Sequence, residues 1–226
     1  MTFMISTRDL RLMPKKEDLQ RICKAISVLD AVFWAEWDGR YYSYNSKWFE
    51  NEEFFEMRDG CGDQMMILFL NTGCVINGLA HEFYLGKEIK KDLTQGIPEI
   101  YNEFIFGEPV SSSGTNFCLW TNSSGEWQRG KIGTNYDGSQ ELLNIFDGNP
   151  QTYIDWALDY FFDGSQDEDE DDDDYKAKPT SFEPVAEIYQ GKKLTKEMVL
   201  LLDKNFEDWK RLEENLKEID YDYDFN

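Results

Sequence analysis

The chain has 226 residues, 41% of them hydrophobic and 15% aromatic, and a formal net charge of −22. That apolar content is enough to bury a core and excludes a wholly disordered chain. Eight of the negative charges lie in the run DEDEDDDD (167–174), so the rest of the chain still carries −14, a balance that disfavours nucleic acid and anionic lipid surfaces and suits a basic protein partner or simple solubility.

Lys15 to Phe33 places Leu19, Ile22, Cys23, Ile26 and Leu29 at helical spacing, with Val32 and Phe33 continuing the stripe, and predicts an amphipathic helix. GRYYSYNSKWF follows as a strand, with Tyr42 and Tyr44 on one face and Tyr41, Ser43 and Asn45 on the other. RDGCGDQ (58–64) precedes the apolar run MMILFL, and the latter is joined to CVINGL by NTG, a connection suited to a β-hairpin. Between Gly96 and Phe106 the pattern is ambiguous: Pro98 fits a first helical turn, with Ile100, Tyr101, Phe104 and Ile105 on one side. TNFCLW and EWQRGKIG flank TNSSG as a second hairpin.

Asp137, with Gln140 three residues on, reads as a capping box for a helix that buries Leu142, Leu143, Ile145 and Phe146 and ends at Gly148. Asn149 caps the next helix, Pro150 takes its first turn, and Tyr153, Ile154, Ala157, Tyr160 and Phe161 form its inner face. The acidic segment 163–178 carries nothing to bury and is expected to be a solvated, mobile loop. PVAEIY is a short apolar piece. Thr195 then caps a last helix with Val199, Leu202, Phe206, Trp209, Leu212 and Leu216 on one stripe, and the acidic, aromatic tail EIDYDYDFN lies on the surface or in a groove. The order is helix, antiparallel sheet built from hairpins, then C-terminal helices. That is an α+β fold, with residues 1–162 as one domain and the helical segment 179–226 packing on it.

No apolar run approaches the roughly 18 residues of a membrane span. The first sixteen residues lack the apolar stretch of a signal peptide, so the cytoplasm is the expected location. Cys23, Cys61, Cys74 and Cys118 are scattered without a CxxC pair, and free thiols are expected.

Two readings compete for RDGCGDQ. A phosphate loop needs free backbone amides opening a helix, usually with a lysine, and a calcium loop needs carboxylates at alternate positions. Neither pattern is present, and a glycine turn leading into a buried strand is the expected reading. His81 is the single histidine, which alone anchors neither a multi-histidine metal site nor, without GxSxG, a hydrolase triad of that type. No metal and no cofactor are expected. His81 is expected to bond a neighbouring carboxylate. The alternative is a polar cluster in which Arg40, Arg58, Asp63, His81 and Glu82 converge at one edge of the sheet as an enzyme site or small-anion binder. Tyr42, Trp48, Trp120 and Trp127 are candidates for an aromatic binding surface, with sheet packing as the alternative.

RYYSYNSKW, MRDGCGD, NGLAHE, NFCLW, WQRG, YDGSQELL and DGNPQTYIDWALDYF, in that order, resemble a family of uncharacterised bacterial proteins over about residues 15–162. The resemblance implies bacterial origin and a single module. The family has no assigned activity, so it carries over no catalytic residue. Composition adds a broader analogy: small acidic bacterial proteins without an evident active site are often immunity or antitoxin proteins, which cover a basic toxin with carboxylates. The leading expectation is a non-enzymatic, acidic protein-binding module. The cluster-based enzyme is the alternative, and a structural subunit or homodimer using the last helix is the third.

Overall fold

A computed structural model describes residues 4–34, 36–133, 136–162 and 181–226. It is α+β, with an N-terminal helix, an antiparallel sheet and C-terminal helices. Helix α1 spans Lys16–Phe33. Strands β1 (Tyr42–Phe49), β2 (Glu52–Arg58), β3 (Gln64–Leu70) and β4 (Gly73–Leu79) then form a meander. Short helices α2 (Lys90–Leu93), α3 (Asn102–Phe106) and α4 (Val110–Ser113) lead to β5 (Phe117–Thr121) and β6 (Trp127–Arg129), which complete a six-stranded sheet in sequence order. Helices α5 (Ser139–Leu143), α6 (Pro150–Phe162) and α7 (Phe182–Tyr189) follow. Strand β7 (Leu194–Thr195), helices α8 (Lys196–Leu202) and α9 (Trp209–Ile219), and strand β8 (Tyr223–Asp224) end the chain.

Each face of the sheet has its own covering. Tyr42, Tyr44, Phe55, Met57, Ile67, Phe69, Ile76 and Leu119 share one core with α1 and with buried residues of the α5–α9 region. Phe54, Met66, Leu68, Val75, Cys118 and Trp120 meet Tyr101, Phe104, Ile105 and Val110 on the opposite face. Strands β3 and β4 are therefore buried on both sides, which is why MMILFL is continuously apolar rather than alternating. Helix α1 buries more than the expected stripe: Ala25, Val28 and Ala31 join Ile22, Cys23 and Ile26 in the core because α7 and α9 pack on it as well as the sheet.

Four expectations change in detail. Gly138, not Asp137, precedes α5 in the left-handed region (φ 74), while Asp137 accepts from the backbone N–H and hydroxyl of Ser139. Ile100 is exposed, although Tyr101, Phe104 and Ile105 are buried as expected. The last stripe is two helices: Thr195 caps α8, accepting from the Met198 N–H, and Asp208 caps α9 through the Arg211 N–H. The intervening residues 203–208 turn the chain, so one periodic pattern spans two axes. Asn149 caps α6 through the Gln151 N–H as expected. Tyr160 is largely exposed; the side chain of Phe161 and the acidic run 163–174 lie outside what is described. Among the described residues, no helix is long and apolar enough to cross a membrane.

Candidate functional site

RDGCGDQ forms a closed turn between β2 and β3. One carboxylate oxygen of Asp59 accepts from the N–H groups of Cys61, Gly62 and Asp63, each at 2.8 Å. These amides are the donors a phosphate would require, and the protein's own carboxylate takes them. Gly62 has φ 129, and a Cβ there would stand 3.0 Å from the His81 ring, so glycine is needed on both conformational and steric grounds.

Asp63 accepts from the His81 backbone N–H at 2.8 Å and meets its ring Nδ1 at 2.7 Å. The carboxylate hydrogen bond raises the imidazole pKa. The pair ties the start of β3 to the residues after β4, and Glu82 is exposed beside it. The arginines are engaged elsewhere. Arg40 is buried near the C-terminal end of α1, where its Nε donates to the Trp34 carbonyl at 2.9 Å. Arg58 lies over the Trp37 ring, 4.0 Å from its centroid, donates to the Trp37 carbonyl at 3.0 Å and stands 3.4 Å from Glu56. Of the five clustered residues expected at one sheet edge, the structure joins Asp63 with His81 and gives Arg40 and Arg58 separate partners. Among the described residues, no group of three or more His, Cys, Asp or Glu side chains is placed to hold a metal ion.

The aromatic candidates also divide. Tyr42 and Trp120 are buried on opposite faces of the sheet, so neither is a surface residue. Trp127 is half-buried, its indole N–H donating to the Pro14 carbonyl at 2.7 Å. Trp48 alone of the four is on the surface, 43% exposed and stacked on Phe54 with ring centroids 4.4 Å apart.

Trp48 marks a groove of about 300 Å³ at the β1 end of the sheet. Its floor is the outer face of the first hairpin, where Ser43 pairs with Glu56 and Asn45 with Phe54. Trp37, Pro109 and Glu218 complete the walls. Strict alternation would set Trp48 beside Tyr42 and Tyr44, in the core. A register shift between Asn45 and Phe49, where the Asn45 side chain accepts from the Lys47 N–H, turns Trp48 onto the outer face. Trp37 is 47% exposed and Phe49, at the hairpin end, 72%. Ser43 is buried, and its Oγ has no hydrogen-bond partner among the described residues. Glu56 accepts from Gln64 at 2.7 Å, while Glu218 presents its carboxylate from the exposed side of α9.

The site is thus an open aromatic groove edged with carboxylates. Sequence reasoning named Trp48 but missed Trp37, Glu56 and Glu218, which adjoin it only through the bulge and the packing of α9 beside β1. Compared with protein-family models, curated proteins and solved structures, the chain finds no match.

Proposed function

We propose that this chain is a non-enzymatic protein-binding module that captures a basic partner, in the manner of an immunity or antitoxin protein. The observation that carries this reading is the aromatic groove bordered by Glu56 and Glu218 in a chain of net charge −22. Long-range negative potential speeds encounter with a cationic surface, and large exposed aromatics at the contact centre supply affinity once water is displaced. The same potential sets the chain against phosphate backbones. The separate partners of Arg40 and Arg58 favour this reading over a site built from the whole polar cluster, of which only Asp63 and His81 bond each other.

Peptide display against the immobilised full chain tests the reading. Enrichment of lysine- and arginine-rich sequences, with capture that weakens steeply between low and high salt, is the expected result. Enrichment of neutral or acidic sequences, or capture indifferent to salt, would overturn it.

A further inference from the structure

We propose that the Trp37–Trp48 groove is a receptor for a single arginine side chain projecting from the partner protein. This rests on the protein-binding reading above and names the contact through which it acts. Three features of the groove favour a guanidinium over an apolar plug or an ammonium. Its aromatic walls offer ring faces to a flat cation, and arginine both stacks and attracts there. Glu218 supplies an exposed carboxylate at the rim, while Glu56 on the floor already meets Arg58 and Gln64. Buried Ser43, on that floor, holds an Oγ without a hydrogen-bond partner among the described residues, and buried hydroxyls are normally satisfied. A guanidinium has five N–H donors in a planar fork, enough to reach a hydroxyl and a carboxylate while its face lies on an indole.

The protein makes the same recognition within itself. Arg58 lies over the Trp37 ring, donates to a carbonyl and faces Glu56. An incoming arginine would repeat this arrangement on the Trp48 side of the groove. The occupant is a protein segment rather than a free ligand, because Phe49, next to Trp48 at the hairpin end, is 72% exposed and offers apolar contact beyond one side chain.

The test uses the full chain, with its tryptophan indole N–H signals followed by NMR. The probes are a neutral Gly/Ser nonapeptide carrying one central arginine, the same peptide with citrulline, and free arginine amide. Saturable shifts of the Trp37 and Trp48 signals are expected with the arginine peptide. Citrulline, equal in shape but uncharged, should bind about tenfold or more weakly. Glu218→Gln should weaken the arginine peptide roughly two- to fivefold, and Trp48→Ala about threefold or more; both residues are exposed, so the fold is retained. Equal binding of citrulline, or shifts confined to other tryptophans, overturns the proposal. So does free arginine amide binding as tightly as the peptide, which would indicate a small-molecule site. Groove signals that change with protein concentration alone, and no longer do so in Trp48→Ala, would instead assign the groove to a second copy of the chain. A hexalysine peptide separates the two levels. Salt-sensitive hexalysine binding without arginine in the groove removes this inference and keeps the function; binding of neither peptide removes both.

Discussion

Among single residues, two aspartates do opposite work. Asp59 is a backbone cap in all but name: its one oxygen holds three amides, and the turn depends on it. Asp59→Ala should cost about 0.5–2 kcal/mol, as for the loss of a capping side chain whose amides water can then reach, read as a lower urea midpoint at unchanged slope. Asp30 lies in the core, accepting from the Tyr42 N–H and the Tyr153 hydroxyl, both at 2.8 Å. Burial pushes its carboxyl up to about 7, with those hydrogen bonds and the Arg40 charge opposing the rise. The folded chain therefore keeps a proton that the unfolded chain releases near pH 4. The resulting stability is complete below about pH 4 and is lost as pH rises through about 7. Denaturant unfolding across this window should show the native chain losing up to about 4 kcal/mol relative to Asp30→Asn, whose side chain does not titrate. Parallel curves for the two proteins would refute the assignment.

Among elements, the C-terminal tail shows how a short segment is held. Asp220 adopts φ 59 after α9, and the Tyr221 N–H returns to the Leu216 carbonyl at 2.9 Å, closing the helix end. The Tyr221 hydroxyl donates to the Lys192 carbonyl at 2.7 Å, and β8 pairs with β7 in parallel through Leu194 and Tyr223. Deleting residues 221–226 removes several of these bonds at once. At roughly 1 kcal/mol per bond, a loss of about 2–3 kcal/mol should lower Tm by about 5–10 °C in a thermal melt without abolishing folding. Helix α9 itself buries Leu212, Leu216 and Ile219 against the main core, and Leu216→Ala should cost about 2–5 kcal/mol by calorimetry or denaturant titration.

For the molecule as a whole, a net charge of −22 works against compactness, because like charges repel most when folded closely together. Raising salt from about 20 mM to 300 mM shortens the screening length and should raise Tm by a few degrees in a thermal melt. Partner capture should weaken over the same range, so stability and binding respond to salt with opposite sign. Local pattern along the chain sufficed for the class of fold, α1, the β3–β4 and β5–β6 hairpins, the Asn149–Pro150 helix start and the RDGCGDQ turn, but not for β2 and its hairpin with β1. Each follows from spacing over a few residues: apolar periodicity, a capping side chain, or a glycine where φ must be positive. Aromatic density also pointed to Trp48. Three features needed the folded chain: Tyr42 and Trp120 are core, Arg40 and Arg58 have separate partners, and Trp48 stands outward beside Trp37 and Glu218. These depend on contacts that no short window of residues contains. A single register shift in β1 reverses which face a side chain occupies, and Glu218, 172 residues along the chain from Ser46, reaches the groove only because α9 packs next to that strand.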